Sequence, residues 1–278
     1  QAAHGWPQFA VSAAIARGGS VSSQPRWALL PFQLLLVSPL LAPVWIAGWV
    51  ALLRRRKLRP FRLFAVAWLF LVLVFLVTAG KPYYLAGLFP VLLAAGASEV
   101  DAWLKPAARR WRAAALWIAV AISGIVSAVI ALPIVPAADA GLIVALNPDA
   151  GETIGWPELA QSVGNVYRQA AGPAVVFTAN YGEAGALDRY GPALGLPPAY
   201  SGHNAFAEWG PPPDLPSPIV VVGLPAAEVN KHFQGCTLAA RAANSGGIHN
   251  QEWGAPIYVC SGTIQPWSTL WKDLRHLG

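Results

Sequence analysis

The chain has 278 residues, a formal net charge of +6 and two cysteines; 55% of its residues are hydrophobic and only 12% are charged. With 13 tryptophans and a mean hydropathy of +0.46 it is more apolar than an ordinary soluble domain, which indicates a membrane protein. Residues 1–138 carry 13 Lys/Arg against 2 Asp/Glu, and residues 139–278 carry 6 against 11. Because the positive charge lies between apolar runs, it does not indicate a nucleic-acid partner. We predict a helical membrane region in residues 1–138 and a water-soluble domain in residues 139–278.

The first segment, residues 1–28, mixes polar and apolar residues and is broken by Gly-Gly and Pro, which predicts a loop or an interfacial helix. It has neither a charged start nor an apolar core typical of a signal peptide. We therefore expect the chain to be the C-terminal part of a longer protein, with a complete small membrane protein as the alternative.

Four apolar runs predict membrane-spanning helices of the length that a bilayer requires. They are about Leu29–Leu53, which its prolines should kink, Phe61–Thr78, Pro82–Leu104 and Ala113–Leu132. Two clusters of Lys and Arg, at residues 54–62 and 105–112, connect these spans, and the positive-inside rule places both in the cytoplasm. The sequence therefore predicts that residues 1–28, the turn around Lys81 and residues 139–278 lie outside.

The remainder predicts a small α/β domain. Its predicted helices and strands alternate, which favours a largely parallel sheet. The predicted helices are Trp156 to about Ala171, Ala184–Tyr190 and Ala226–Phe233, and the predicted strands are Ala174–Thr178, Ile219–Val222 and Pro256–Cys260.

The two cysteines, Cys236 and Cys260, both lie in the domain that we place in an oxidising compartment. Cysteines in such a compartment are usually paired, and a disulfide here would close a loop of about 25 residues. We predict a Cys236–Cys260 disulfide, with two buried thiols as the alternative.

Polar residues of the second half have two interpretations each. Asn180 and Glu183 fit a helix capping box, which we favour over a substrate role. His203, Glu208 and Trp209 lie in a loop rich in Gly and Pro and are candidate sugar contacts, by hydrogen bonding and by stacking; a solvated surface loop is the alternative. The sequence contains no phosphate-binding Gly loop, zinc-ligand spacing or Ser/His/Asp arrangement, so a soluble enzyme active site in this domain has weak support. No cofactor is predicted, and the sequence leaves any metal requirement open.

The segment Gly80-Lys81-Pro82-Tyr83-Tyr84 lies between two apolar runs. A lysine drawn into hydrocarbon costs at least about 2.5 kcal/mol, so Lys81 is expected at an interface or facing an anion. Tyr and Lys are also common interface residues without any ligand. Both interpretations remain open on the residues alone.

Several runs resemble bacterial glycosyltransferase family 39, the polytopic relatives of protein O-mannosyltransferases and of lipid A aminoarabinose transferase. They are QAAHGWP, AGKPYYLAGLFPVLLAAGA, NYGEAGALDRYGPALGLP, SGHNAFAEWGPP and IYVCSGTIQPWSTLWKDL. The resemblance implies the C-terminal part of a GT-C fold enzyme that transfers a sugar from a polyprenyl-phosphate carrier to an acceptor on the outer side of the cell membrane. It also implies that the catalytic acid lies in a first outer loop that this chain lacks.

By that resemblance, Lys81 and Tyr84, together with Tyr83, are expected to bind the donor phosphate, and His4 is expected to contribute from an outer loop. A cation and a phenol suit this role, because a departing lipid phosphate gains negative charge. A non-catalytic, membrane-anchored protein whose outer domain binds a ligand or partner is the alternative. A transporter is disfavoured, because no ionisable residue occupies the middle of a predicted span.

Overall fold

The computed structural model describes residues 6–18, 25–105, 109–170 and 172–277. The chain divides into two compact units, Gln1–Val129 and Ile130–Gly278. It is mostly helical, with a small sheet region in the second unit.

The first unit is built from helices. They are α1 (Pro7–Ala16), α2 (Leu29–Val37), α3 (Ala42–Arg54), α4 (Arg62–Thr78), α5 (Phe89–Leu104) and α6 (Arg109–Ala131), whose last residues extend into the second unit. A short 3₁₀ turn, Arg56–Phe61, precedes α4, and another, Pro82–Leu88, precedes α5.

Three helical segments are long and apolar enough to cross a membrane, and they correspond to the second, third and fourth predicted spans. They are Arg56–Thr78, Pro82–Leu104 and Arg110–Ala131. A fourth results only if the bent pair Arg26–Val37 and Pro39–Arg54 crosses as one broken span. The apolar character of this unit is therefore consistent with a membrane protein.

The predicted first span is broken more sharply than a kink, because α2 and α3 meet at an angle of 85°. The break is at Ser38, whose φ of 121° and ψ of 134° are not helical. A residue that precedes proline is sterically disfavoured in the helical region, and Ser38 precedes Pro39. The side chain of Ser38 accepts hydrogen bonds from the Leu40 N–H (3.3 Å) and from Ser123 of α6 (2.7 Å).

Helices α3 and α5 approach closely through two glycines. A Cβ at Gly48 would collide with the carbonyl oxygen of Leu92, and one at Gly96 with that of Val44. Small residues at such a contact let helix backbones approach, which is a common way to pack helices in membranes. Beside them, Trp45 contributes an aromatic side chain to the apolar core of the unit.

The second unit combines helices with two small sheets. Its helices are α7 (Gly141–Leu146), α8 (Pro148–Gly151), α9 (Trp156–Gln169), α10 (Tyr181–Tyr190), α11 (Ala226–His232) and α12 (Trp267–Leu274). Its strands are β1 (Val175–Thr178), β2 (Ala199–Ser201), β3 (Ile219–Val222), β4 (Phe233–Gln234), β5 (Thr237–Arg241), β6 (Pro256–Cys260) and β7 (Gly262–Thr263).

The main sheet has the strand order β2-β1-β3-β6-β5 and is mixed, so the prediction of a largely parallel sheet is wrong. Strands β1, β2 and β3 are parallel, whereas β6 pairs antiparallel with both β3 and β5. The connection from β5 to β6, residues 242–255, contains no helix, whereas a parallel pair is usually joined by a crossover helix.

The central strand β3 of the main sheet is buried on both faces. Along β3, Val220 and Val222 pack with α9 and α10, while Ile219 and Val221 pack with α11 and α12. This alternation is the period of two that a strand imposes on its side chains. At the end of β6, Cys260 forms a disulfide with Cys236.

Candidate functional site

The turn that holds Lys81, Tyr83 and Tyr84 follows the end of α4. Ala79 has the left-handed φ of 53°, and the Gly80 N–H donates to the Phe75 carbonyl oxygen (3.0 Å). This hydrogen bond has the spacing of the Schellman motif, which ends a helix. Lys81 then adopts an extended backbone and precedes the 3₁₀ turn Pro82–Leu88.

The structure brings the two phenols of this turn together. The rings of Tyr83 and Tyr84 contact edge to face with centroids 5.2 Å apart, and the ring of Tyr84 also packs on Phe75 at 5.6 Å. The Tyr84 N–H donates to the Lys81 carbonyl oxygen (3.1 Å). Both tyrosine side chains are about half exposed, so this short turn presents two phenols at its surface.

Sequence reasoning missed Gln33, which holds this turn against α2. Its Nε2 donates to the carbonyl oxygens of Leu29 and of Pro82, each at 3.0 Å, and its side chain is 1% exposed. A lone amide in the run LLPFQLLLV is a usable signal, because buried polar groups need hydrogen-bond partners. The identity of its partner, 49 residues away, has no local signal.

The predicted contacts of the second unit do not form one exposed group. His203 is buried, and its ring stacks on His276 (4.5 Å) and lies against Tyr181 (4.8 Å). Glu208 forms an ion pair with Arg275. Trp209 is 74% exposed. His4, the remaining predicted contact, lies outside the described residues.

The exposed Trp209 ring is supported by its neighbour Phe206, whose ring centroid lies 4.2 Å away. The segment Asn204–Trp209 is a 3₁₀ turn, and the chain terminus fixes its start: the Asn204 N–H donates to the His276 carbonyl oxygen (2.9 Å). Among the predicted contacts that the structure describes, Trp209 is therefore the one whose ring is largely accessible.

The ends of three parallel strands form a separate polar region. Thr178, Ser201 and Val222 end β1, β2 and β3 at the same edge of the sheet, which we call the carboxyl edge. The chain runs from β1 to β2 on one side and then to β3 on the other side of β1. In open α/β sheets, ligands commonly bind outside the carboxyl ends of strands at such a reversal of order.

The capping box predicted at this edge is confirmed. The Asn180 side chain accepts from the Glu183 N–H (2.8 Å), and the Glu183 carboxyl accepts from the Asn180 N–H (3.2 Å). Glu183 is 2% exposed and packs against the backbone of Gly223, whose φ is +80°. Any side chain at Gly223 would collide with this carboxyl group.

A second buried acid at this edge, Glu252, was not predicted. Burial, assisted by repulsion from Glu252 and opposed by the hydrogen bond from the Asn180 N–H, raises the pKa of Glu183 to about 8. Burial, followed by repulsion from Glu152, raises the pKa of Glu252 to about 7. At neutral pH a protonated carboxyl group therefore lies at the carboxyl edge.

Comparison with protein-family models, with characterised proteins and with solved structures returned no match to this chain. In the described part of the chain, no group of three or more His, Cys, Asp or Glu side chains is placed to hold a metal ion. The proposals below therefore rest on the sequence and on the geometry of the two units.

Proposed function

We propose that the chain is the C-terminal portion of a membrane glycosyltransferase with a GT-C fold. In this proposal it contributes to the transfer of a sugar from a polyprenyl-phosphate donor to an acceptor on the outer side of the cell membrane. The observation that carries the proposal is the turn at Lys81, where a cation and two half-exposed phenols adjoin segments long and apolar enough to span a bilayer. A lipid phosphate is the anion that such a position meets.

Each side chain of the turn has a role in this proposal. The Lys81 ammonium supplies a charge-assisted hydrogen bond to the phosphate, and the Tyr84 hydroxyl donates a second one as negative charge grows on the leaving group. Tyr83 packs on the ring of Tyr84 and contributes a further phenol. Gln33 acts through position alone, because it fixes the Pro82 carbonyl oxygen and with it the start of the 3₁₀ turn.

The acid or base of the reaction is not assigned to this unit. The only carboxylates of residues 1–138 are Glu99 and Asp101, which form ion pairs with Arg55 and Lys105. Glu99 lies 15 residues beyond Tyr84, or about 22 Å along a helix, which is too far for a shared reacting centre. We therefore expect residues 1–278 alone to bind the donor phosphate but to transfer no sugar.

The test measures binding of a polyprenyl phosphate to the purified full chain in detergent. Lys81→Ala should weaken binding about tenfold to a hundredfold, since a hydrogen bond to a charged group contributes about 1.5–3 kcal/mol. Tyr84→Phe keeps the ring contact with Phe75 and removes only the hydroxyl, so it should weaken binding less. Lys105→Ala, at the other end of α5, is the matched control. Undiminished binding by Lys81→Ala would refute the site.

The proposal also places the second unit outside the cell membrane, because the positive-inside rule assigns both basic clusters to the cytoplasm. Reporter fusions after Arg56 and after Gly151 should read cytoplasmic and external, respectively. A cytoplasmic signal at Gly151 contradicts this topology.

A membrane-anchored outer domain that binds a ligand or a partner without catalysis is the second candidate. The carboxyl edge favours it, because Tyr181, 53% exposed, adjoins the protonated Glu183 where the strand order reverses. A transfer assay on a longer protein that contains this chain separates the two candidates. Sugar transfer that falls with Lys81→Ala supports the transferase, and its absence from a complete protein supports the binding domain.

A further inference from the structure

The segment that follows α3, residues 55–58, and the last turns of α5 line an open basic cavity of about 440 Å³. It lies at the opposite end of α5 from the turn at Lys81. Its lining residues are Arg55, Arg56, Lys57, Leu58, Ser98 and Glu99, with Ala102.

The charges of this basic cavity are only partly balanced. Arg55 binds Glu99 through two hydrogen bonds, Nε to Oε1 at 2.9 Å and Nη2 to Oε2 at 2.7 Å. Within the described residues, no carboxylate forms an ion pair with Arg56 or Lys57, and both are exposed. The cavity therefore presents two cationic side chains beside a neutralised pair.

An apolar groove of about 450 Å³ adjoins the basic cavity, and Glu99 lines both. The groove lies between α3, α5 and α6. Its lining includes three small side chains, Ala47, Ala115 and Ala119, which leave it open. Val100 contributes further apolar surface. A basic cavity continuous with an apolar groove has the chemistry of a phospholipid, a charged head group joined to an acyl chain.

Aromatic residues mark this level of the unit as an interface between hydrocarbon and water. Trp103 lines the apolar groove and its ring contacts that of Trp111 at 6.1 Å. The Arg112 guanidinium lies over both rings, 5.2 Å and 5.5 Å from their centroids. Trp residues are enriched at head-group depth, where basic pockets between helices bind anionic lipids.

We propose that the paired cavity and groove bind an anionic phospholipid. The phosphate lies against Arg56 and Lys57, and one acyl chain occupies the groove beside Ala115. The Arg55–Glu99 pair lies where the cavity meets the groove and joins the end of α3 to α5. This site is distinct from the turn at Lys81 and does not depend on the proposed transferase activity.

The first test compares lipids on the purified full chain by native mass spectrometry. Phosphatidylglycerol should be retained in preference to phosphatidylcholine, because only the former carries net charge. Arg56→Gln with Lys57→Gln should weaken phosphatidylglycerol binding on the order of tenfold. Arg54→Gln with Arg59→Gln removes the same charge from exposed residues that do not line the cavity. An equal loss in this control overturns the site in favour of unspecific attraction.

The second test separates a lipid from a free phosphate. Ala115→Leu fills the groove and should weaken phosphatidylglycerol binding severalfold, whereas Ala114→Leu, an exposed neighbour that does not line the groove, should not. Inorganic phosphate at millimolar concentration should displace little lipid. Equal binding by both variants, or full displacement by phosphate, overturns the proposal. A monodisperse profile in size-exclusion chromatography verifies folding of each variant, and Ala119→Leu replaces Ala115→Leu if that variant aggregates.

Discussion

Glu183 should make the second unit less stable as the pH rises from acid to slightly alkaline. Its carboxyl group is buried at the start of α10, accepts a hydrogen bond from the Asn180 N–H and lies beside Gly223 and Glu252. Burial raises its pKa from the ordinary value of 4.5 to about 8. The folded state therefore keeps a proton that the unfolded state has already released, and stability falls with pH over this interval.

The magnitude follows from the displacement of the pKa. A pKa difference of one between the folded and unfolded states corresponds to about 1.36 kcal/mol of unfolding free energy. Ionisation of Glu183 can therefore lower the unfolding free energy by on the order of 5 kcal/mol by about pH 8, with no loss below about pH 4.5. Glu252, whose pKa is raised to about 7, acts in the same direction. Glu158 and Asp214 have lowered pKa values, so their stabilising contribution is lost only as the pH falls through those values. That loss lies at lower pH than the interval of interest.

The assay is native-state hydrogen exchange of the full chain in detergent, read on peptides that cover β1 and β3. After correction for the intrinsic exchange rate, the opening free energy should fall between about pH 5 and about pH 8 by a few kcal/mol. Glu183→Gln keeps the size of the side chain and an oxygen for the capping hydrogen bond but cannot ionise. Its opening free energy should match the original chain near pH 5 and exceed it near pH 8.

Two outcomes would refute this reasoning. One is an opening free energy of the original chain that is flat or rises between about pH 5 and about pH 8. The other is a Glu183→Gln variant whose opening free energy falls as steeply as that of the original chain. A smaller residual fall in the variant, on the order of 3 kcal/mol, is expected because Glu252 still titrates.

Two further predictions concern the turn at Lys81 and the disulfide. A Cβ at Gly80 would lie 2.5 Å from a ring carbon of Phe75, so Gly80→Ala should destabilise the first unit by about 1–3 kcal/mol and weaken polyprenyl-phosphate binding. Gly87 lies in the 3₁₀ turn that follows, with open space where a Cβ would be. Gly87→Ala should therefore lower the apparent unfolding temperature of the full chain much less than Gly80→Ala does. Equal decreases for the two variants would contradict the packing argument. Thiol labelling of the unfolded, unreduced chain should find no free thiol at Cys236 or Cys260, whereas two labelled thiols would contradict the disulfide. In the loop-entropy model, reduction of the disulfide should lower the unfolding free energy of the second unit by about 3 kcal/mol. Hydrogen exchange with and without reductant measures this change.

Much of the first unit could be predicted from the sequence, because long apolar runs bounded by cations report directly on helix length. The segments Arg56–Thr78 and Pro82–Leu104 correspond closely to two predicted spans. The sharp break at Ser38 is harder to predict from the sequence. Three prolines predict an irregularity in the first span, but the angle between α2 and α3 depends on how the rest of the first unit packs around the break.

The second unit shows a different limit. Runs of valine and isoleucine predicted β1, β3 and β6, whereas β2 (Ala199–Ser201) and β5 (Thr237–Arg241) are short or mixed in composition and gave no signal. Strand direction was predicted from the alternation of helices and strands, and the direct return from β5 to β6 broke that pattern. Local sequence indicated the elements but not their pairing.

The candidate sites divide in the same way. The capping box of Asn180 and Glu183 spans four residues, so its pattern is readable in the sequence. The effect of Glu252 on Glu183 joins residues far apart in the chain and becomes visible only in the folded unit. Gln33 is visible as a lone amide in an apolar run, yet the Pro82 carbonyl oxygen that it binds is not.

The two phosphate sites that we propose lie near the two ends of α5, and contacts hold the helix at each end. At its start, Gln33 holds the Pro82 carbonyl oxygen, and near its end Glu99 is bound by Arg55. The segment Pro82–Leu104 has 23 residues and is therefore at least about 34 Å long, slightly more than the hydrocarbon thickness of about 30 Å. In the proposed topology, the turn at Lys81 and the basic cavity lie toward opposite sides of the bilayer, with Tyr84 and Glu99 about 22 Å apart along the helix. The two proposed phosphate sites are then separate consequences of one spanning segment.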